Sequence, residues 1–114
     1  MSRLKKPYEF KETFSKGKRF PGKYFILYIK ESQSQSSRIG LAVSKKTGTA
    51  VARNRIKRVY REAFRKLIQG MNGSNKDERH FDLVLVGKRE SAAAKMDDVL
   101  NELRAMVDKF REKR

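Results

Sequence analysis

The sequence predicts an α/β protein in which a mixed sheet is packed by helices. Three observations carry that expectation. Residues 49–68 and 95–110 repeat apolar side chains with the 3.6-residue period of a helix. Residues 23–31, 38–44 and 81–86 are short runs rich in branched and aromatic residues, which read as strands. The strand–helix–strand unit over 38–86 then implies a parallel pair, because only a long crossover can join parallel neighbours. With 114 residues, the chain is expected to form one domain spanning 1–114, frayed at its first and last few residues.

Each element has a local reason. Residues 7–16 carry Phe10 and Phe14 four apart, on one helical face, and Gly17 follows as a stop. Lys18, Arg19 and Phe20 can add a short strand, and Pro21-Gly22 is a turn signal. In 23–31 (KYFILYIKE) both faces are apolar or aromatic, Tyr24, Ile26, Tyr28 and Phe25, Leu27, Ile29, so both should be covered. A polar connection (SQSQSS) leads into 38–44. There Ile39, Leu41 and Val43 alternate with Gly40, Ala42 and Ser44, a face of small residues that a helix or ligand can approach closely.

Lys45-Lys46-Thr47-Gly48 forms a basic turn. The helix after it places Ala52, Ile56, Val59, Ala63 and Leu67 on its apolar face, with Tyr60, Phe64 and Ile68 at the margins. Residues 70–80 read as a polar loop with two glycines and two asparagines. FDLVLV at 81–86 is a third long strand. The last helix carries Met96, Val99, Leu100, Leu103, Met106, Val107 and Phe110 on one side.

Charge narrows the function. Lys and Arg number 29 against 13 Asp and Glu, a formal net charge of +16. Residues 1–30 hold nine basic and two acidic residues, and 45–66 hold nine basic residues with Glu62 as the only acid. Residues 77–114 hold nine of each. Basicity concentrated in two segments points to a polyanion, nucleic acid before membrane. The chain has no cysteine and one histidine, His80, so disulfides, cysteine zinc sites, serine triads and two-histidine metal sites are excluded. Asp97 and Asp98 are adjacent and do not face each other on a helix, so they read as charge compensation at its start. No apolar run approaches the ~20 residues of a membrane span, and the amino terminus lacks the apolar core of a signal peptide. The expectation is a soluble cytoplasmic protein, off the membrane, without catalytic residues, metal ligands or a cofactor of its own.

The helix over 49–68 is two-faced. With Ile56 as zero direction, Ala52, Val59, Ala63 and Leu67 fall within about 60° of it, while Asn54, Arg58, Arg61 and Arg65 fall within about 40° of the opposite direction. Arg53, Arg55, Lys57 and Lys66 flank that row. An ordinary solvated face has mixed signs and (i, i+4) ion pairs; here Glu62 alone could pair. Guanidinium forks suit phosphates, so the row reads as a surface for an anion and could track several phosphates.

The segment SKKTGTAVARNRIKRVYREAF, residues 44–64, resembles the signature of the bacterial ribonuclease P protein component. The matching residues are Lys45, Lys46, Gly48, Ala50, Val51, Arg53, Asn54, Arg55, Lys57, Arg58 and Arg61. Phe10, Phe14, Lys16 and Gly17, then Phe25 and Tyr28, then Arg38, Gly40, Val43 and Ser44, then Asp82, Val84 and Val86 follow in the family's order. Thr49 stands where the family often has Asn, and no proline follows Val86. The resemblance implies an α/β sandwich with a mixed four-stranded sheet, like domain 2 of ribosomal protein S5, and a left-handed crossover. It implies the accessory subunit of a ribonucleoprotein endonuclease that removes the 5′ leader of precursor tRNA, with hydrolysis carried by the RNA and its Mg²⁺. It assigns Lys45, Lys46, Arg53, Asn54, Arg55, Lys57, Arg58, Arg61 and Arg65 to the catalytic RNA. It assigns Phe10, Phe14, Lys16 and Tyr28 to a cleft for the single-stranded leader, where rings stack bases and cations hold the backbone. Three alternatives are weighed against it: a general RNA-binding or ribosome-associated structural protein, a self-sufficient nuclease, and a DNA major-groove reader. The second lacks carboxylate or histidine machinery in the basic segments, and the third lacks a dimer seam or helix-turn-helix.

Overall fold

The computed structural model describes residues 2–74 and 79–112. The elements are β1 (Ser2–Arg3), α1 (Pro7–Lys16), β2 (Lys18–Pro21), β3 (Phe25–Glu31), β4 (Arg38–Ala42), α2 (Ala50–Ser74), β5 (Phe81–Gly87) and α3 (Met96–Glu112). Short 3-10 turns occupy Lys45–Thr47 and Arg89–Ala93. The strand order is β1-β4-β5-β3-β2. β4 and β5 run parallel, while β5–β3 and β3–β2 are antiparallel, so the expected mixed four-stranded sheet is present. β1 adds an unforeseen fifth strand, two residues parallel to β4. Leu4, just after it, is buried and its N–H donates to the Ile39 carbonyl at 2.9 Å.

Register sorts the side chains into two layers. Phe25, Leu27 and Ile29 align with Gly87, Leu85 and Leu83 of β5, and the last two align with Leu41 and Ile39 of β4. This face meets Ile56, Tyr60, Ala63, Phe64 and Leu67 of α2 and Val99, Leu103, Met106 and Val107 of α3 in one core. Tyr60 and Phe64, expected at the helix margin, are core residues; Ala52 and Val59 are half-exposed. The apolar face is turned toward the two rings because they remove the most area from water. Tyr60 keeps its hydroxyl satisfied there by donating to the Tyr24 carbonyl at 3.1 Å and pairing with Ser91 Oγ at 2.6 Å.

The opposite face carries α1. Ile26, Tyr28 and Lys30 of β3 align on it with Val86, Val84 and Asp82 of β5 and with Ala42, Gly40 and Arg38 of β4. Coverage here is partial, contrary to expectation: Ile26 and Tyr28 are half-exposed, because ten-residue α1 is too short to roof the sheet. The small-residue face of β4 does admit a helix. A Cβ on Gly40 would stand 2.6 Å from the Phe10 ring, so only glycine leaves room for that contact.

α2 also runs longer than its pattern suggests. The stretch expected as a loop from residue 70 is helical through Ser74, and residues 75–78 of it lie outside the described residues. Met71 packs against the core, and that burial outweighs the cost of glycine inside a helix, about 1 kcal/mol. At the other end Thr49 caps α2: its Oγ1 accepts the Ala52 N–H at 3.1 Å, so threonine serves where the family often has asparagine. α3 starts at Met96, with Asp98 accepting the Lys95 N–H at 3.0 Å in the role expected of an acid at a helix start. His80 lies just before β5, its carbonyl accepting the Ser32 N–H.

Candidate nucleic-acid interface

Burying Ile56, Tyr60, Ala63 and Leu67 forces the opposite side of α2 into solvent. Asn54, Arg58 and Arg65 are exposed there, as are Lys45 and Lys46 on the preceding turn. Arg65 is held by Glu62, one turn back, at 2.7 Å in a half-exposed pair; Arg58 has no ion-pair partner among the described residues. Two arginines of the motif turn partly inward. Arg53 donates to the Gly48 carbonyl at 3.0 Å, and Arg55 to the carbonyls of Ala92 at 3.1 Å and Ala94 at 2.9 Å. Both brace the turns that flank the start of α2. The row predicted from the helical wheel is therefore divided: some guanidiniums face outward and others secure the backbone beneath them.

Arg61 leaves the outward row and joins Lys57, which flanks it. With Arg3 they rim a cavity of about 220 Å³ at the free edge of β4, floored by Leu4, Phe10, Ile39 and Leu41. β1 pairs only with Arg38 and Ile39, so beyond them β4 keeps this edge open. Arg3 and Leu4 were not foreseen as site residues. Their only signal was a lone leucine among basic residues near the start of the chain.

Further along α1, on the sheet face that carries this helix, Phe14 meets Tyr28 edge to face, with ring centroids 4.9 Å apart. Phe14 stays 39 % exposed, so this pair is an open aromatic surface; Phe10, one turn earlier, is half-buried against Gly40. Lys16 is exposed at the end of α1, loosely paired with Glu12 at 4.0 Å.

A charge cluster absent from the sequence reading holds α1 in place. Asp82, 1 % exposed, accepts two hydrogen bonds from Arg38, Nε to Oδ1 at 2.9 Å and Nη2 to Oδ2 at 2.8 Å. Arg38 Nη1 reaches across to Glu9 Oε2 of α1 at 2.8 Å. Lys30 bridges Asp82 at 3.3 Å and Glu12 of α1 at 3.4 Å. Burial opposes the charge on Asp82, but the Arg38 hydrogen bonds and charge outweigh it, so its pKa lies below the ordinary carboxylate range. Glu9 is lowered as well, first by the N–H groups of Lys6 and Lys5, which donate to its Oε1. The available signal was the lone aspartate inside FDLVLV, since an acid in a buried strand needs a partner.

Among the described residues no group of three or more His, Asp or Glu side chains is arranged to hold a metal ion, and no helix is long and apolar enough to cross a membrane.

Comparison with known proteins converges on one family. The Ribonuclease P family model matches residues 1–111. The chain is 35% identical over 104 residues to the "Ribonuclease P protein component" of Clostridioides difficile (strain 630), covering 91% of this chain and 87% of that protein. It is 34% identical over 107 residues to that of Clostridium kluyveri, covering 94% and 92%. Among solved structures, the Staphylococcus aureus RNase P protein superposes with a TM-score of 0.74 at 26% identity, covering 95% of this chain and 94% of that one. The Thermotoga maritima RNase P protein gives 0.74 at 26% identity, covering 96% and 97%. The chain therefore belongs to the ribonuclease P protein component family and is a subunit of ribonuclease P.

Proposed function

We propose that this subunit binds the ribonuclease P RNA through the outward side of α2 and holds the single-stranded 5′ leader of precursor tRNA on the sheet face beside α1. The observation that carries the reading is the two-sided burial of α2. Its core residues fix its roll, which leaves Asn54, Arg58 and Arg65 in solvent beside Lys45 and Lys46. Arginine forks on a rigid helix suit a folded RNA backbone, and each phosphate neutralised releases counterions. The leader's bases stack on the open Phe14–Tyr28 pair, while Lys16, Lys57 and Arg61 hold its phosphates and Phe10 packs beneath. Arg53 and Arg55 contribute by bracing the turns next to the RNA-facing surface.

In this reading Mg²⁺, bound through the RNA, supplies the hydrolytic chemistry. The chain's own residues bind and orient. They lower the charge repulsion between two RNAs and fix the leader's path relative to the scissile bond.

The test is reconstitution with the ribonuclease P RNA at low Mg²⁺, comparing cleavage of precursor tRNA with and without the protein, and binding of precursor against mature tRNA. The expected result is faster cleavage and a preference for the leader-bearing RNA that Phe14→Ala or Tyr28→Ala reduces. Equal binding of precursor and mature tRNA by the holoenzyme would overturn the leader-binding reading.

A further inference from the structure

Arg19 stands beside the aromatic pair without any role so far. It is the direct cross-strand partner of Tyr28 in the antiparallel β2–β3 pair. Direct partners share a sheet face, with Cβ atoms about 5 Å apart, so Arg19 and Tyr28 lie on the face that Phe14 packs against. Lys18, its neighbour in the chain, points to the other face. Arg19 is exposed and no carboxylate among the described residues pairs with it. The two acids of α1, Glu9 and Glu12, are already engaged by Arg38 and Lys30. A charge on an edge strand also discourages sheet-to-sheet association, but Lys18 on the same two-residue step serves that purpose equally.

We propose that Arg19 is a phosphate-holding residue of the leader cleft, and that the bound strand crosses the sheet from the β4 edge to the β2 edge. The inference rests on reading the Phe14–Tyr28 face as the leader site. The geometry gives the path two cationic ends: Lys57 and Arg61 at the free edge of β4, and Arg19 on β2. The order β4-β5-β3-β2 puts three strand steps between them, about 14 Å at the usual interstrand spacing. The aromatic pair lies between those ends, on β3 and α1. This is the arrangement a sequence-tolerant single-strand site needs, with ring faces for bases and a cation on either side for the backbone. A guanidinium is suited to this position because its fork can take two phosphate oxygens at once. The ligand class is single-stranded RNA running perpendicular to the strands. Its upstream nucleotides reach β2, so Arg19 should matter for long leaders and not for short ones.

The test uses the holoenzyme reconstituted with the ribonuclease P RNA and precursor tRNAs carrying a short or a long leader. Dissociation constants are measured across a salt series for wild type, Arg19→Ala, Arg19→Lys, Phe14→Ala and Tyr28→Ala. The expected result is that Arg19→Ala cuts the affinity gained on lengthening the leader and lowers the log–log salt slope by about 0.7, the value of one single-strand phosphate contact. Arg19→Lys should restore the slope, and affinity for the ribonuclease P RNA alone should stay unchanged. The proposal is overturned if Arg19→Ala keeps both the gain and the slope while Phe14→Ala and Tyr28→Ala lose them. It is equally overturned if Arg19→Ala weakens binding to the RNA subunit alone. If the aromatic variants also keep the full leader-length gain, the cleft reading itself falls, and Arg19 with it.

Discussion

Removing the Asp82 carboxylate should loosen α1 from the sheet, and the size of the effect follows from the charges it leaves behind. Asp82→Ala strips Arg38 of two hydrogen bonds at 2.9 and 2.8 Å and Lys30 of a contact at 3.3 Å. Both cations sit on the α1 face, with side chains only 24% and 15% exposed. Breaking a buried pair by deleting one partner costs about 3–5 kcal/mol. Glu9 and Glu12 still face the two cations and hold the loss toward the lower end of that range. At this size each kcal/mol is worth about 4 °C, so the midpoint of thermal unfolding should fall by at least about 10 °C. Helix α1 has only ten residues and is marginal alone, so it should detach first. Leader discrimination should then decline at temperatures where α2 still binds RNA. The measurement is a pair of melts, followed by circular dichroism and by amide exchange on residues 7–16. Acid gives an independent check. Asp82 and Glu9 have folded pKa values below their unfolded ones, so the stability they contribute is present above about pH 4 and is lost as pH falls through the folded values. Asp82→Asn should flatten that acid limb. A melt within 1–2 °C of wild type for Asp82→Ala, or unchanged exchange in α1, would refute the clamp.

Three further outcomes follow from the same geometry. Arg58→Ala should lower the salt slope of ribonuclease P RNA binding by about 0.9, one duplex phosphate contact, whereas Arg65→Ala should lower it less because Glu62 already competes for that guanidinium; equal slopes for both variants and wild type would count against the α2 surface. Gly40→Ala should cost about 1–3 kcal/mol in denaturant unfolding, because the Phe10 ring must move off the new methyl; a neutral result would mean that α1 slides freely. Tyr60→Phe should cost about 0.5–1.5 kcal/mol by removing the hydroxyl that bonds Ser91 and the Tyr24 carbonyl, since those two groups keep each other as partners. Burial raises the Tyr60 phenol to about 12, so in wild type its stabilising effect is present below the unfolded value near 10 and fades as pH climbs toward 12. Ultraviolet titration of wild type against Tyr60→Phe should show the loss of a tyrosine that ionises near pH 12.

The order of the main helices and strands, the basic turn before α2 and the two-faced character of α2 were legible in the chain itself, whereas β1 and the turn of α2 that buries Tyr60 and Phe64 were not. The legible features depend on periods of 3.6 and 2 residues and on local charge, which neighbours in sequence carry. The two-faced α2 was visible because one helix supplies both faces. The functional grouping was not legible, because it joins residues far apart. Arg38 and Asp82 meet through the β4–β5 register across 44 positions, and Lys57 and Arg61 meet Phe10 only because β4 has an open edge. Arg53 and Arg55 look like their neighbours in sequence, yet the carbonyls within reach turn them to bracing the fold. Glycine at 70 argued for a loop, and a core contact at Met71 outweighed it. Local pattern determined what each segment is; strand register and packing decided which side chains share a surface, since those energies exist only once distant segments touch.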